Sequence, residues 1–148
     1  MKNNIDKSKV LDRLYDIERA VQELSRFREL DLQTFDDDKD NYPVAVYWVR
    51  IAIEAVLTIG THILSRLPSN GMKKDYTEVI LSMGNYEVIP KEFAREIKGM
   101  AGYRNRLVHL YWKIGSEELL GMIQEHLDDF VTFNHYIKDY LKKFNEEG

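Results

Sequence analysis

A chain of 148 residues with a formal net charge of -4 and no cysteine is long enough to bury one sizeable core without disulfides or a structural metal, so a single domain over 1–148 is expected. The missing thiols exclude a disulfide framework, thiolate catalysis and thiolate metal sites. The acidic balance argues against an overall basic nucleic-acid binder but leaves room for a local one. The opening MKNNIDKSKVLDRL lacks a long apolar signal core, and the most apolar stretch, 44–67, is interrupted by Arg50, Glu54 and His62, which predicts a soluble cytoplasmic protein without a membrane span.

In chain order, 5–30 reads as a first long helix, because Val10, Leu14, Ile17, Val21 and Leu24 recur at three- and four-residue spacings with charged residues between them. Residues 31–40 break that pattern and read as an acidic connection. Asn41-Tyr42-Pro43 then favours a fresh start. The apolar run 44–67 is too long for an ordinary strand and reads as a second long helix. Its Gly60 costs helix propensity, and the expected return is close approach of another helix backbone. Pro68-Ser69-Asn70-Gly71 should end it.

A shorter third helix fits 75–83. Ile89-Pro90-Lys91 reads as entry into a fourth, long helix reaching Ile114, with Pro90 near its first turn, where a missing amide costs least. Gly115 interrupts it, Ser116 is a candidate N-cap with Glu117 and Glu118 suited to a positive first turn, and Leu119, Ile123, Leu127, Phe130 and Ile137 mark a last helix. The expected fold is all-α: an antiparallel helical bundle of four long helices and one shorter one.

The densest chemistry lies in AGYRNRLVHLYWKI, residues 101–114, where Arg104, Arg106, His109 and Tyr111 fall within eight residues. Guanidinium groups hold phosphate as fixed forks, and histidine carries protons near neutral pH. On one ideal helix Asn105 and His109 form an i,i+4 pair and Arg106 and His109 an i,i+3 pair, whereas Arg104 and His109 align less well. Either bending before Gly115 or a second subunit must complete such a site. Trp112 reads as closing the helix core. Glu54 reads as a surface or helix-stabilising residue, with contact to the motif across the bundle as the second possibility.

No metal centre is predicted. His62, His126 and His135 lack the HExxH spacing. Asp36-Asp37-Asp38 lacks the ordered ligands of an EF-hand and reads as a hydrated loop. Glycine patterns for binding ATP or a dinucleotide are also missing, so no cofactor is expected.

The run Arg104-Asn105-Arg106-Leu107-Val108-His109-Leu110-Tyr111 resembles the R-x4-H-x-Y motif of HEPN ribonucleases, specifically the HepT toxins formerly called DUF86. Segments 44–67 and 89–114 are also similar to that family. The resemblance implies a mostly helical homodimer whose motifs face a shared cleft and a metal-independent RNA endonuclease toxin of a type VII toxin-antitoxin system. It further implies neutralisation by an MNT-family nucleotidyltransferase antitoxin that transfers AMP from ATP-Mg to Tyr111. Arg104 and His109 are then the catalytic residues, and Asn105 and Arg106 position the substrate. The alternative is a noncatalytic helical partner that binds RNA or a nucleotidyltransferase.

Overall fold

Helix α1, Lys7–Leu24, begins at Asp6, whose carboxylate accepts the amide hydrogen of Lys9 at 3.1 Å and so satisfies one orphan donor of the first turn. The computed structural model describes residues 5–68 and 75–147, helices and connecting turns with no strand among them. The expected stripe is the buried one: Val10, Leu14, Ile17 and Leu24 lie inside, with Val21 at its edge. The helix stops at Leu24 rather than near residue 30 and passes into a 3-10 turn, Ser25–Phe27. Ser25 Oγ donates to the Val21 carbonyl at 2.7 Å, a local bond that competes with further α-helix.

The acidic stretch 31–40 is more than a connection. It holds a short helix α2, Leu32–Asp37, capped by the Asp31 carboxylate on the Thr34 amide at 2.8 Å. Phe35 of α2 is fully buried and meets Phe27 edge to face at 5.3 Å. One aromatic anchor therefore orders a segment whose composition reads as loop.

Helix α3, Asn41–Ser65, carries Pro43 in its first turn and buries Val49, Ile53, Val56, Ile59 and Ile63. It is long and apolar enough to cross a membrane by length and composition, yet half of that stretch is buried among the other helices, as in a core helix. The helix ends at Ser65 with Arg66 as its C-cap, two residues short of the expected end at Leu67. The expected terminator residues Ser69, Asn70 and Gly71 lie outside the described residues.

Helix α4, Tyr76–Asn85, is capped by Asp75 on the Glu78 amide at 2.8 Å. It explains Gly60 differently from the backbone approach expected. A Cβ at Gly60 would stand 2.8 Å from Met83 Cε and 2.9 Å from Val79 Cγ1, so side chains of α4 fill the space.

The predicted fourth helix is divided. Helix α5, Lys91–Ile97, follows Pro90, which occupies the N-cap. Helix α6, Gly99–His109, resumes after a turn at Lys98 and ends five residues before Ile114. Residues Tyr111–Lys113 form a 3-10 turn. Helix α7, Ser116–Glu147, then spans the molecule. The Leu119 amide donates to the Gly115 carbonyl at 3.0 Å, which makes Gly115 the cap and Ser116 the first helical residue.

Long-range contacts fix the directions. Asp6 meets His62 and Arg19 lies over Trp48, so α1 and α3 are antiparallel. Arg104 meets Glu54 and Tyr42 bonds the Ile114 carbonyl, so α6 also runs against α3. Gln124 of α7 donates to the Arg28 and Leu30 carbonyls, while Asn134 reaches Leu14. Thus α7 runs against α1. One contiguous apolar core from Val10 to Leu141 joins these helices, and the bundle is the expected all-α architecture.

Candidate functional site

Helix α6 is amphipathic in an unusual way. Met100, Ala101 and Leu107 anchor it in the core, and the polar residues between them leave it on two different sides. Tyr103 and Arg106 turn toward α7, whereas Arg104 turns toward α3 and α4.

Arg104 is the more buried of the two motif arginines, with its side chain 21% exposed against 42% for Arg106. Its Nε lies 3.5 Å from the Glu54 carboxylate, an ion-pair distance rather than a hydrogen bond. Its guanidinium carbon sits 5.1 Å from the Tyr76 ring centroid, within cation-π range. One terminal nitrogen donates to Asn105 Oδ1 at 3.2 Å. Glu54 is shared with Arg50, whose Nε is 3.2 Å away. It therefore serves both as the helix-stabilising residue expected from sequence and as the contact to the motif. Tyr76 and its role as a platform carry no local sequence signal.

Asn105 is exposed beside Arg104. Arg106 is committed elsewhere: it grips Glu118 of α7 with two bonds of 2.5 and 2.9 Å, the bidentate geometry that suits guanidinium and carboxylate. That pair raises the Arg106 pKa and lowers that of Glu118 through the shared hydrogen bond. It also closes the Gly115 turn by tying α6 to α7. Tyr103, beneath it, has a buried hydroxyl with no hydrogen-bond partner among the described residues, and burial pushes its phenol well above the ordinary range.

His109 is exposed and is the last residue of α6. The helix is regular up to it, so five residues of about 100° each leave Arg104 and His109 about 140° apart around one axis. Bending before Gly115 does occur, since Leu110 leaves the helical region at φ -138° and ψ 34°. It comes after His109 and does not bring His109 to Arg104. Tyr111 opens the 3-10 turn; its side chain lies outside what the structure describes. Trp112 is 65% exposed, not a core residue.

On the α3 side, Arg104 borders a cleft of about 360 Å³ that also touches Lys9, Thr58, Thr61, Arg66 and Tyr76. On the α7 side lies a groove of about 440 Å³ rimmed by Glu96, Glu117, Glu118, Glu125 and Asp129. No grouping of three or more histidine, aspartate or glutamate side chains suited to a metal ion occurs among the described residues. Basic side chains thus gather at the cleft and acidic ones at the groove.

The sequence and the fold have counterparts among known proteins. A tRNA nuclease HepT of Aphanizomenon flos-aquae is 29% identical over 147 residues, covering 98% of each chain. An mRNA nuclease HepT of Shewanella oneidensis is 22% identical over 129 residues, covering 87% of this chain and 96% of its own. Among solved structures, a tri-AMPylated HEPN toxin of Shewanella oneidensis in complex with MNT antitoxin superposes with a TM-score of 0.77 at 21% identity, covering 88% of this chain and 97% of that one. The family model described as Ribonuclease HepT-like matches residues 17–137, and the chain belongs to that family of ribonucleases.

Proposed function

We propose that this protein is a metal-independent RNA endonuclease, the toxin of a type VII toxin-antitoxin pair acting in the cytoplasm, with Arg104 and His109 as its catalytic residues. The observation that carries the reading is the environment of Arg104. A guanidinium is held by Glu54 and Tyr76 at the rim of a cleft that also carries Lys9 and Arg66, five residues, about one and a half helical turns, before an exposed histidine.

The chemistry follows from those two groups. The RNA 2'-hydroxyl attacks the adjacent phosphorus as His109 takes its proton, the bond from phosphorus to the 5'-oxygen breaks, and that oxygen is protonated by an acid. Arg104 stabilises charge gathering on the non-bridging oxygens. The products end in a 2',3'-cyclic phosphate and a 5'-hydroxyl, and DNA lacks the nucleophile. Asn105 orients Arg104 or holds phosphate, whereas Arg106, the other positioning residue the resemblance implies, turns toward α7 and is engaged by Glu118. The angle of about 140° between Arg104 and His109 on a regular helix supports a homodimer in which two motifs face one RNA path and two histidines divide the acid and base roles.

Control of the toxin by an MNT-family nucleotidyltransferase is supported by the complex of the Shewanella oneidensis toxin. AMP transferred from ATP-Mg to the Tyr111 phenolic oxygen would add bulk and negative charge two residues from His109, opposing RNA approach. Intact-mass measurement after incubation with the cognate partner and ATP-Mg should show AMP increments that localise to Tyr111.

The decisive assay is cleavage of RNA by purified protein in the presence of a chelator. Arg104→Ala and His109→Ala should each lower the rate by about 10²- to 10³-fold with helicity and solution mass retained. Equal cleavage by wild type and both variants would leave the noncatalytic partner as the reading. Loss of cleavage on chelation would remove the metal-independent route.

A further inference from the structure

The cleft beside Arg104 is built from four helices, and most of its lining is unused by the chemistry above. Helix α3 is apolar on most of its surface but presents Glu54, Thr58, Thr61 and Ser65 along one stripe at helical spacing. Threonine is a weak helix former, so the stripe is not explained by helix stability. Lys9 of α1 and Arg66 after α3 stand at one end of the cleft, while Arg104 and Tyr76 stand at the other. Among the described residues, Lys9, Arg66 and Arg104 line the cleft with Glu54, which is already shared between Arg50 and Arg104, and the Asp6 carboxylate stands close to the His62 wall. In a chain of net charge -4 this is a local reversal of sign.

His62 forms part of the wall and is fixed in one role. Its Nε2 accepts the Asp6 amide hydrogen at 2.9 Å, and the ring is 6% exposed. The α1 terminus that carries Lys9 is thereby locked to the end of α3 that carries Arg66. The backbones of Lys9 on α1 and of Arg66 at the C-cap of α3 are thereby fixed relative to each other, which a built anion site requires.

We propose that this cleft is a nucleotide subsite: it holds the phosphate and ribose of an RNA residue adjoining the one that is cut, with Lys9 and Arg66 on the phosphate and the hydroxyls of Thr58 and Thr61 on the sugar. The proposal rests on the ribonuclease reading of Arg104. Tyr76, 37% exposed and carrying the Arg104 guanidinium over its ring, supplies a surface against which a base can stack. A volume of about 360 Å³ is within the range of small-ligand sites. Phosphate contacts of this kind set register without reading sequence. The cleft therefore fixes where the strand lies relative to His109, not which bases are chosen.

The probe is a fluorescein-labelled single-stranded 2'-O-methyl oligonucleotide of about eight nucleotides, which binds but cannot be cut, titrated at several salt concentrations. The Lys9→Glu/Arg66→Glu double variant should bind it at least about tenfold more weakly, with a salt slope reduced by about one to two. Thr61→Trp, which fills the cleft and leaves its charge alone, should also weaken binding. With cleavable RNA both variants should raise KM and leave kcat close to wild type, and circular dichroism should show both still folded. Undiminished affinity in the double variant overturns the subsite. So does weakening by the charge reversal but not by Thr61→Trp, which would mark a diffuse field rather than a pocket. If AMP binding depends on Lys9 and Arg66 while the oligonucleotide is indifferent to them, the cleft takes a free nucleotide and the RNA assignment is overturned. Cleft-dependent oligonucleotide binding by a wild-type protein that cuts no RNA supports the subsite and removes the nuclease reading instead.

Discussion

Tyr103 and Arg104 are neighbours in sequence and open onto different sides of α6. On the Arg104 side the walls are α1, α3 and α4, and the rim carries Lys9, Arg66 and Arg104 with one compensated carboxylate. On the Tyr103 side the wall is α7, and Glu96, Glu117, Glu118, Glu125 and Asp129 surround a floor that includes Ile97, Met100 and Met122. The acidic groove is the larger of the two, at about 440 against 360 Å³. On the proposed reading charge rather than size chooses the RNA side, because the α7 groove is lined by five carboxylates, of which Glu118 is paired with Arg106 and Asp129 with His126. A single helix thus separates a face lined by Lys9, Arg66 and Arg104 from one lined mainly by carboxylates.

The largest effect should come from removing the group that defines the first face. Arg104→Ala is expected to cost about 10²- to 10³-fold in cleavage, whereas Gly121→Met, at a helical position with open space around its Cβ, should fill the acidic groove and leave cleavage unchanged. Next in size is packing. Gly60→Ala forces a methyl against Val79 and Met83 and should destabilise the protein by about 1–3 kcal/mol, measured by chemical denaturation. Because it displaces α4, it should also move Tyr76 off Arg104 and raise KM for RNA.

Smaller still is Glu118→Gln. It weakens the exposed grip on Arg106 and takes one carboxylate from the acidic groove, so binding of the uncleavable oligonucleotide should tighten by a few-fold. The smallest effect is a pH dependence on the cationic side. The His62 pKa is lowered from 6.5 by burial first, then by Arg66 and Lys9, against a raising influence from Asp6. The unfolded chain therefore binds the proton first. Stability contributed by neutral His62 is complete above pH 6.5 and declines as pH falls from there toward the lowered value. Denaturation midpoints between pH 7.5 and 5.5, both rough bounds around that window, should fall in the wild type and fall less in His62→Gln.

These two faces were unequally legible in the sequence. The motif from Arg104 to Tyr111 is local, so its residues could be picked out by type and spacing, and the buried stripes of α1, α3 and α7 follow from helical periodicity. Tyr76, Lys9 and Arg66 lie far away in sequence and join Arg104 only through tertiary packing. Nothing in their neighbourhoods marks them. The turn at Lys98 did leave a signal, glycines at 99 and 102 at the head of a helix, which the apolar periodicity through Phe93, Ile97 and Met100 masked. Helix α2 was hidden by its acidic composition, although Asp31 three residues before Thr34 and the apolar Phe35 carry its cap and its anchor.

The division of α6 into two faces is tested most directly by hydrogen exchange with mass-spectrometric readout, with and without the uncleavable oligonucleotide. The account predicts protection at the start of α1, in the second half of α3 and along α6, with exchange across 117–129 unchanged. Protection confined to 117–129, with the cleft unaffected, would contradict it.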